Sequence, residues 1–260
     1  MKFSPLYCLL LITATSCSTV EVIGIDVEKP AQITLPTCIQ NITIVNNAIT
    51  QPDSINHTIK KSFSTMEAAI PADSINTVLT QALAQFMDEK QFYNQVIAYD
   101  RPLRESGFFL TEQAIGQDSI RRIVGETNAD AIISLDRFIA QATITERYNS
   151  WIDYSMEVTM QAKFRIYDAD GSTIGQPVLF QDTLYWNLDY PDSWLSTMKE
   201  ALKQSAIYTA DKMTSMFIPY WRRQNRWIYT GGGKDMREAV QNAMTNNWKE
   251  AALLWGELYG

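Results

Sequence analysis

The 260-residue chain carries one histidine, three cysteines and 29 acidic residues, and these bound the chemistry open to it. A Ser-His-Asp triad would have to be built on His57 alone. His57 stands between Asn56 and Thr58 in the polar stretch 51–65, with no partner at triad or metal-ligand spacing, and reads as a solvated loop residue. Cys38 follows "LPT" in linker-like sequence and reads as inert, because nothing nearby would stabilise its thiolate. "DADG" (168–171) opens like a calcium loop, but Ser172, Thr173 and Ile174 follow and no Glu closes it, so a β-turn is expected. "TGGGKD" (230–235) has the glycines of a phosphate loop without the Gly-Lys-Ser/Thr order or an expected strand-loop-helix frame, and reads as a connection between a domain and a helical tail. "WRRQNRW" (221–227) sets Arg222, Arg223 and Arg226 among aromatics. That pattern offers cation–π contact to a sugar or an anionic head group; a stiff strand leaving the domain is the competing reading. A glycosidase needs two acids across one cleft, and no such pair is visible. The expectation is a non-enzymatic chain with no metal, no cofactor and no small-molecule substrate.

The remaining reactive group is Cys17. Lys2 gives a short positive start, and Leu6 to Thr13 give an apolar run too short for a bilayer. Ala14, Thr15 and Ser16 put small side chains before Cys17. This stretch resembles the lipobox of bacterial lipoproteins, with Ala14 where that motif most often has Leu. The resemblance implies that residues 1–16 are a signal peptide and that Cys17 is acylated. It also implies attachment by more than one acyl chain, since one alone binds only marginally. Residues 17–40 are then a tether and extended linker carrying Pro30 and Pro36. Glu21 is the only acid close behind Cys17, which favours the periplasmic face of the outer membrane over the cell surface. With Cys8 removed and Cys17 acylated, only Cys38 remains and no intramolecular disulfide can form. The net charge of −7 disfavours nucleic acid.

These residues have to be positioned by an α/β domain expected over 41–230. "NITIVNN" (41–47) and "NQVIAY" (94–99) read as short strands, and Ile75 to Met87 recur at helical spacing behind Asp73 or Ser74 as cap. A short helix is expected around 120–127, then a strand over 129–144. "YSMEVTMQAKFRIYD" alternates strictly, with Tyr154, Met156, Val158, Met160, Ala162, Phe164 and Ile166 on one face. "PVLFQDTLYWN" (177–187) returns as a strand, a helix runs over about 192–217, and 223–229 is a last strand. The fold class is mixed α/β: a mixed sheet with flanking helices, followed by a helical hairpin over 234–260.

"NADAIISL" (128–135) and "FRIYDADGSTI" (164–174) resemble junctions in domains of the curli-assembly-lipoprotein, penicillin-binding-protein-activator and TolB amino-terminal type. "KPAQITLP" and "ITIVNN" resemble a family of Bacteroidetes lipoproteins with no established activity. "NNWKEAALLW" (246–255), with Trp248 and Trp255 around Ala251, resembles part of a tetratricopeptide repeat. One helix pair is fewer than such arrays need, so the chain is expected to be a fragment of a longer repeat protein, an ordinary terminal hairpin being the alternative. Asp53-Ser54-Ile55, the clearest of several Asp-Ser/Thr-apolar triplets, resembles Bacteroidetes O-glycan acceptors and makes Ser54 a candidate. Together these resemblances imply a lipid-anchored scaffold that binds an envelope protein, with Trp248, Trp255, Arg222, Arg223 and Arg226 as candidate contacts. The alternative is a subunit of an oligomeric export channel of the curli type. That channel would make a membrane hairpin of 131–147 and 154–168, in which Asp136 and Arg137, as alternate residues, would send one charge into lipid.

Overall fold

The computed structural model describes residues 20–55, 57–148, 152–189 and 193–259, and Cys17 lies outside them. Five helices and nine strands are found among the described residues. They divide into two compact units, one within residues 30–219 and one built from residues 20–29 with 220–259.

In the first unit β2 (Asn41–Asn46), β3 (His57–Lys61), β4 (Ser64–Ala68), β5 (Gln95–Ala98), β6 (Ala131–Tyr148), β7 (Ile152–Asp168) and β8 (Val178–Leu188) form one seven-stranded mixed sheet. The β2–β5, β2–β6 and β3–β6 pairs are parallel; β3–β4, β6–β7 and β7–β8 are antiparallel. The stretch expected as polar loop over 51–65 therefore contains β3 and the start of a hairpin. The helices are α1 (Ile75–Glu89), α2 (Gln117–Thr127) and α3 (Trp194–Phe217). Ser74 holds the N-cap position of α1 without a side-chain cap bond, whereas Ser193 accepts from the Ser196 N–H at 3.4 Å.

Alternation sorts the layers. Ile42 and Ile44 of β2, Ile133 and Leu135 of β6, and the expected face of β7 pack with Leu79, Leu83 and Met87 of α1 and Met198, Leu202 and Met213 of α3. Val45 and Ile132 point to the opposite face and pack with Ile120 and Ile123 of α2. Successive residues of a strand face opposite ways, so the two clusters lie on opposite sides of the sheet.

Strand β6 departs from simple alternation at one point. Leu135 is opposite Phe164 and Arg137 opposite Lys163, so Asp136 is an extra residue in a β-bulge. Leu135 and Phe138 both face the α1/α3 core, and the two residues between them both face away. Asp136 and Arg137 therefore lie on one side of the sheet, not on alternate sides as their spacing implied.

The α2–β6 junction is held by a carboxylate. Asn128 ends α2 in the left-handed region at φ 52°. The Asp130 carboxylate then accepts from the backbone N–H groups of Gln40 at 2.9 Å and Asn41 at 2.8 Å, and from Asn41 Nδ2 at 3.1 Å. These bonds, led by that of Gln40, hold its pKa below the usual carboxylate value. They fix where β2 begins beside β6. At the same end of the β6–β7 pair, where Asp168 is opposite Ala131, the Asp168 carboxylate accepts from the N–H groups of Asp170 at 3.1 Å and Ser172 at 2.8 Å, and Gly171 takes φ +93°. "DADG" is thus a turn whose carboxylate caps its own backbone.

In the second unit β1 (Val20–Lys29) pairs antiparallel with β9 (Tyr220–Tyr229), beside helices α4 (Lys234–Met244) and α5 (Trp248–Tyr259). Part of the segment read as tether and linker is thus strand β1, and β9 pairs with it and not with the seven-stranded sheet. Alternation turns Ile23, Ile25 and Ile228 inward, where they pack with Ala243, Ala251, Trp248 and Trp255. The "TGGGKD" stretch does stand between a strand and a helix, with Gly233 as N-cap and Gly232 at φ +146°, but Asp235 occupies the first turn, where it repels an anion. Among the described residues no helix is long and apolar enough to cross a membrane.

Replacing Asp130 by Ala removes three charge-assisted bonds, and a loss of about 2–3 kcal/mol in denaturant unfolding is expected, with Asp130→Asn losing less.

Candidate binding site

A cavity of about 340 Å³ lies in the first unit, between the segment 30–40 and the ends of α1 and α3. The sequence builds it from chain breakers. Pro30 and Pro36 remove backbone donors and keep the segment out of the sheet. The segment is tied down at intervals: the Ile33 N–H donates to the Met216 carbonyl at 2.9 Å, and the Ile39 N–H to that of Pro36 at 2.9 Å. After α1 the chain turns at Gln91, with φ 51°, and presents Phe92 and Tyr93. Their rings meet edge to face at 5.0 Å. The Tyr93 hydroxyl donates to the Phe217 carbonyl at 3.2 Å, satisfying an orphan carbonyl at the end of α3. Burial pushes the Tyr93 pKa up to about 12.

The walls are Leu35, Ile39, Phe217 and Pro219, with Phe92, 51 % exposed, at the rim and Thr34, Thr37 and Gln40 as polar groups. A mostly apolar concavity of this size with a few hydroxyl and amide groups suits an apolar chain or side chain held without covalent chemistry.

The buried polar groups on the sheet serve the fold. Asp136, at the bulge, accepts from Ser134 Oγ at 2.8 Å and Asn47 Nδ2 at 3.1 Å. Arg165 Nη1 meets its other oxygen as an ion pair at 3.1 Å, outside hydrogen-bond alignment. Burial raises the Asp136 pKa, against the pull of Asn47, Ser134 and Arg165. Glu112 pairs with Arg137 at 2.8 Å and with Lys163. Asn47 Nδ2 also donates to the Gln113 carbonyl at 2.7 Å, and the Ile115 N–H donates to the Tyr167 hydroxyl at 3.1 Å. Residues 112–115 are thereby fastened across the sheet. Asp136 and Glu112 are two acids brought near each other, but each faces its own cations.

His57 is fully buried, not solvated. Strand β2 pairs with β6 as far as Leu135, and β3 takes up the same edge only from Thr143. Side chains close the gap. Gln51 Oε1 accepts from the Ala140 N–H at 3.0 Å and its Nε2 donates to the Ala140 carbonyl at 2.8 Å. His57 Nδ1 accepts from the Ala142 N–H at 3.1 Å, and its Nε2 lies 3.1 Å from Gln51 Nε2. Burial lowers the His57 pKa, while Asp53 pulls it the other way.

The residues singled out in sequence do not converge. Trp248 and Trp255 are half-buried in the second unit, filling space around Ala251. Arg222, Arg223 and Arg226 are exposed on β9, Arg223 on one face and the other two on the opposite one, with Arg226 bonded to Gln224 at 2.9 Å. Cys38 is exposed. Ser54 is exposed in the turn before β3. The cavity itself was missed. Its signal was Pro30 and Pro36 bracketing apolar residues, together with Phe92-Tyr93 behind a helix end.

Residues 39–229 match a family described as Domain of unknown function (DUF8603). No curated protein matches the chain. Among solved structures, a minor lipoprotein from Acinetobacter baumannii is 8 % identical with a TM-score of 0.34, covering 68 % of this chain and 91 % of its own. The rare lipoprotein B of Shewanella oneidensis is 10 % identical with a TM-score of 0.31, covering 61 % of this chain and 89 % of its own. A Neisseria meningitidis lipoprotein, GNA1162, is 12 % identical with a TM-score of 0.24, covering 63 % of this chain and 96 % of its own.

The buried imidazole gives a pH signature. Its pKa is lowered by folding, so below the ordinary value near 6.5 the unfolded chain binds the proton more readily than the folded one. Stability is complete above that value and falls as pH drops through it. Thermal melts from pH 8 to 5 should show a decline that the His57→Gln form lacks, and the one histidine resonance should titrate below the ordinary value.

Proposed function

From the premise that the chain belongs to the DUF8603 family, we propose that it is a lipid-anchored envelope lipoprotein, a non-catalytic module that binds a partner protein. The cavity walled by Leu35, Ile39, Phe92, Tyr93 and Phe217 carries the binding reading. It offers apolar surface, and its one titratable wall group, the Tyr93 hydroxyl, is committed to the Phe217 carbonyl. An apolar side chain or an extended apolar segment of a partner fits these walls. The anchor rests on Leu6 to Cys17, and the sparse acids behind Cys17 support the periplasmic face of the outer membrane.

The export-channel reading is weaker. A membrane hairpin of β6 and β7 would have to present Asp136, Arg137, Lys163 and Arg165 on one face, while the other face is already covered by α1 and α3. Arg and Lys at the bilayer midplane cost about 2–4 kcal/mol each, and Asp less. The repeat-like tail and glycosylation at Ser54 belong to the same proposal at its edges; an intact mass carrying a sugar increment at Ser54 would establish the latter.

Two measurements test it in cells making the full chain. Radiolabelled palmitate should enter the protein, and Cys17→Ala should abolish both label and membrane retention; equal retention would refute the anchor. A photo-crosslinking residue at Phe92 should capture an envelope protein. Adding Thr34→Trp, which narrows the cavity, should lower that yield several-fold while leaving the melting temperature within a few degrees. An unchanged yield would refute the cavity as the site.

A further inference from the structure

The β1–β9 ribbon has two unlike faces. The inward one carries Ile23, Ile25 and Ile228. On the outward one, Val22 pairs with Trp227, and Tyr229 lies one cross-strand position further toward the start of β1. Val22, Trp227 and Tyr229 are 48 %, 75 % and 54 % exposed. Toward the other end the face becomes charged. Arg223 is opposite Asp26, its guanidinium lying over Gly24, where a Cβ would come within 2.2 Å of Nε. Trp221, 70 % exposed, is opposite Glu28 at that far end. The aromatic end is the one nearest Cys17 along the chain. Val20, where β1 begins, follows Cys17 by three residues, which span at most about 10 Å.

We propose that Val22, Trp227 and Tyr229 seat this end of the ribbon in the head-group layer of the membrane that holds the Cys17 acyl chains, an inference that rests on the anchor proposed above. An acylated Cys17 sits at the head-group boundary, and three residues hold the ribbon's end in or directly beside that layer, which is about 5–8 Å thick on each side of the hydrocarbon. Tryptophan and tyrosine are the residues that favour this layer, with the ring in apolar surroundings and the polar edge toward water. Seating buries two aromatic rings that otherwise stand in water, and holds the second unit at the membrane by contacts additional to the acyl chains. Trp221 stands six residues from Trp227, about 20 Å along the strand, and remains outside.

The test uses the full lipidated protein in phosphatidylethanolamine/phosphatidylglycerol vesicles with and without bromine high on the acyl chains, read by tryptophan fluorescence. Trp227→Phe is expected to remove more than half of the bromine-quenchable emission, and Trp221→Phe to leave it unchanged. Both side chains are exposed, so neither change should move the melting temperature. Intact mass on the same sample separates the two claims. An acylated protein with no quenching, or with equal loss in both variants, overturns the seating alone; a mass without acyl chains overturns the anchor. A concentration-dependent dimer abolished by Trp227→Asp would assign the face to a second copy and overturn the seating as well.

Discussion

The first unit depends on how one strand edge is completed. β6 runs from Ala131 to Tyr148 and gives one whole edge to β7. Its other edge is shared by β2 and β3, which are separate in sequence and leave a stretch between them without a backbone partner. Unpaired buried backbone groups cost about 1–3 kcal/mol each, so the gap has to be filled. Gln51 does this with an amide that copies the donor and acceptor of a peptide group, and His57 adds an acceptor. The chain's one histidine is therefore spent on structure. The bulge at Asp136 lies within the same stretch, so the strand changes phase where its backbone partner is missing.

That change of phase sorts the charges. Before the bulge the odd-numbered residues of β6 face the α1/α3 core, and after it the even-numbered ones do. Asp136 and Arg137 fall together on the other face, where Glu112, Lys163 and Arg165 complete the set. Charges that would have been costly on alternate faces instead hold Glu112 against the sheet. Breaking one partner of such a buried set is far more costly than the set's net contribution.

Much of the architecture was legible. The alternation from Tyr154 to Ile166, the helical spacing of Leu79, Leu83 and Met87, and the "DADG" turn each carry a local signal that the tertiary structure keeps. What was not legible depends on distant partners. β1 was read as tether because a strand whose pairing partner lies 200 residues away, in β9, has only its own weak alternation to announce it. His57 and Gln51 look polar and loop-like because the backbone edge they complete is Ala140 to Ala142, more than 80 residues on. Trp248 and Trp255 were placed on a contact surface since aromatic residues near a small one fit both a binding face and an interior; in the fold they are half-buried, packed with Ile23 and Ile228. The cavity was invisible for the same reason, its walls coming from three separate stretches.

The two units divide the roles in the proposed picture. The one built from the chain ends carries the anchor and the aromatic ribbon, and the larger one carries the cavity on a frame fixed by β6. That frame depends on the gap beside β6 being closed by the side chains of Gln51 and His57. Amide hydrogen exchange at Ala140 and Ala142 tests this most directly. Exchange as slow as at Ile133 and Ile144 in the wild-type protein, with selective acceleration at Ala140 in Gln51→Leu, is the expected result. Fast exchange at Ala140 and Ala142 in the wild type, while Ile133 and Ile144 stay protected, would contradict it.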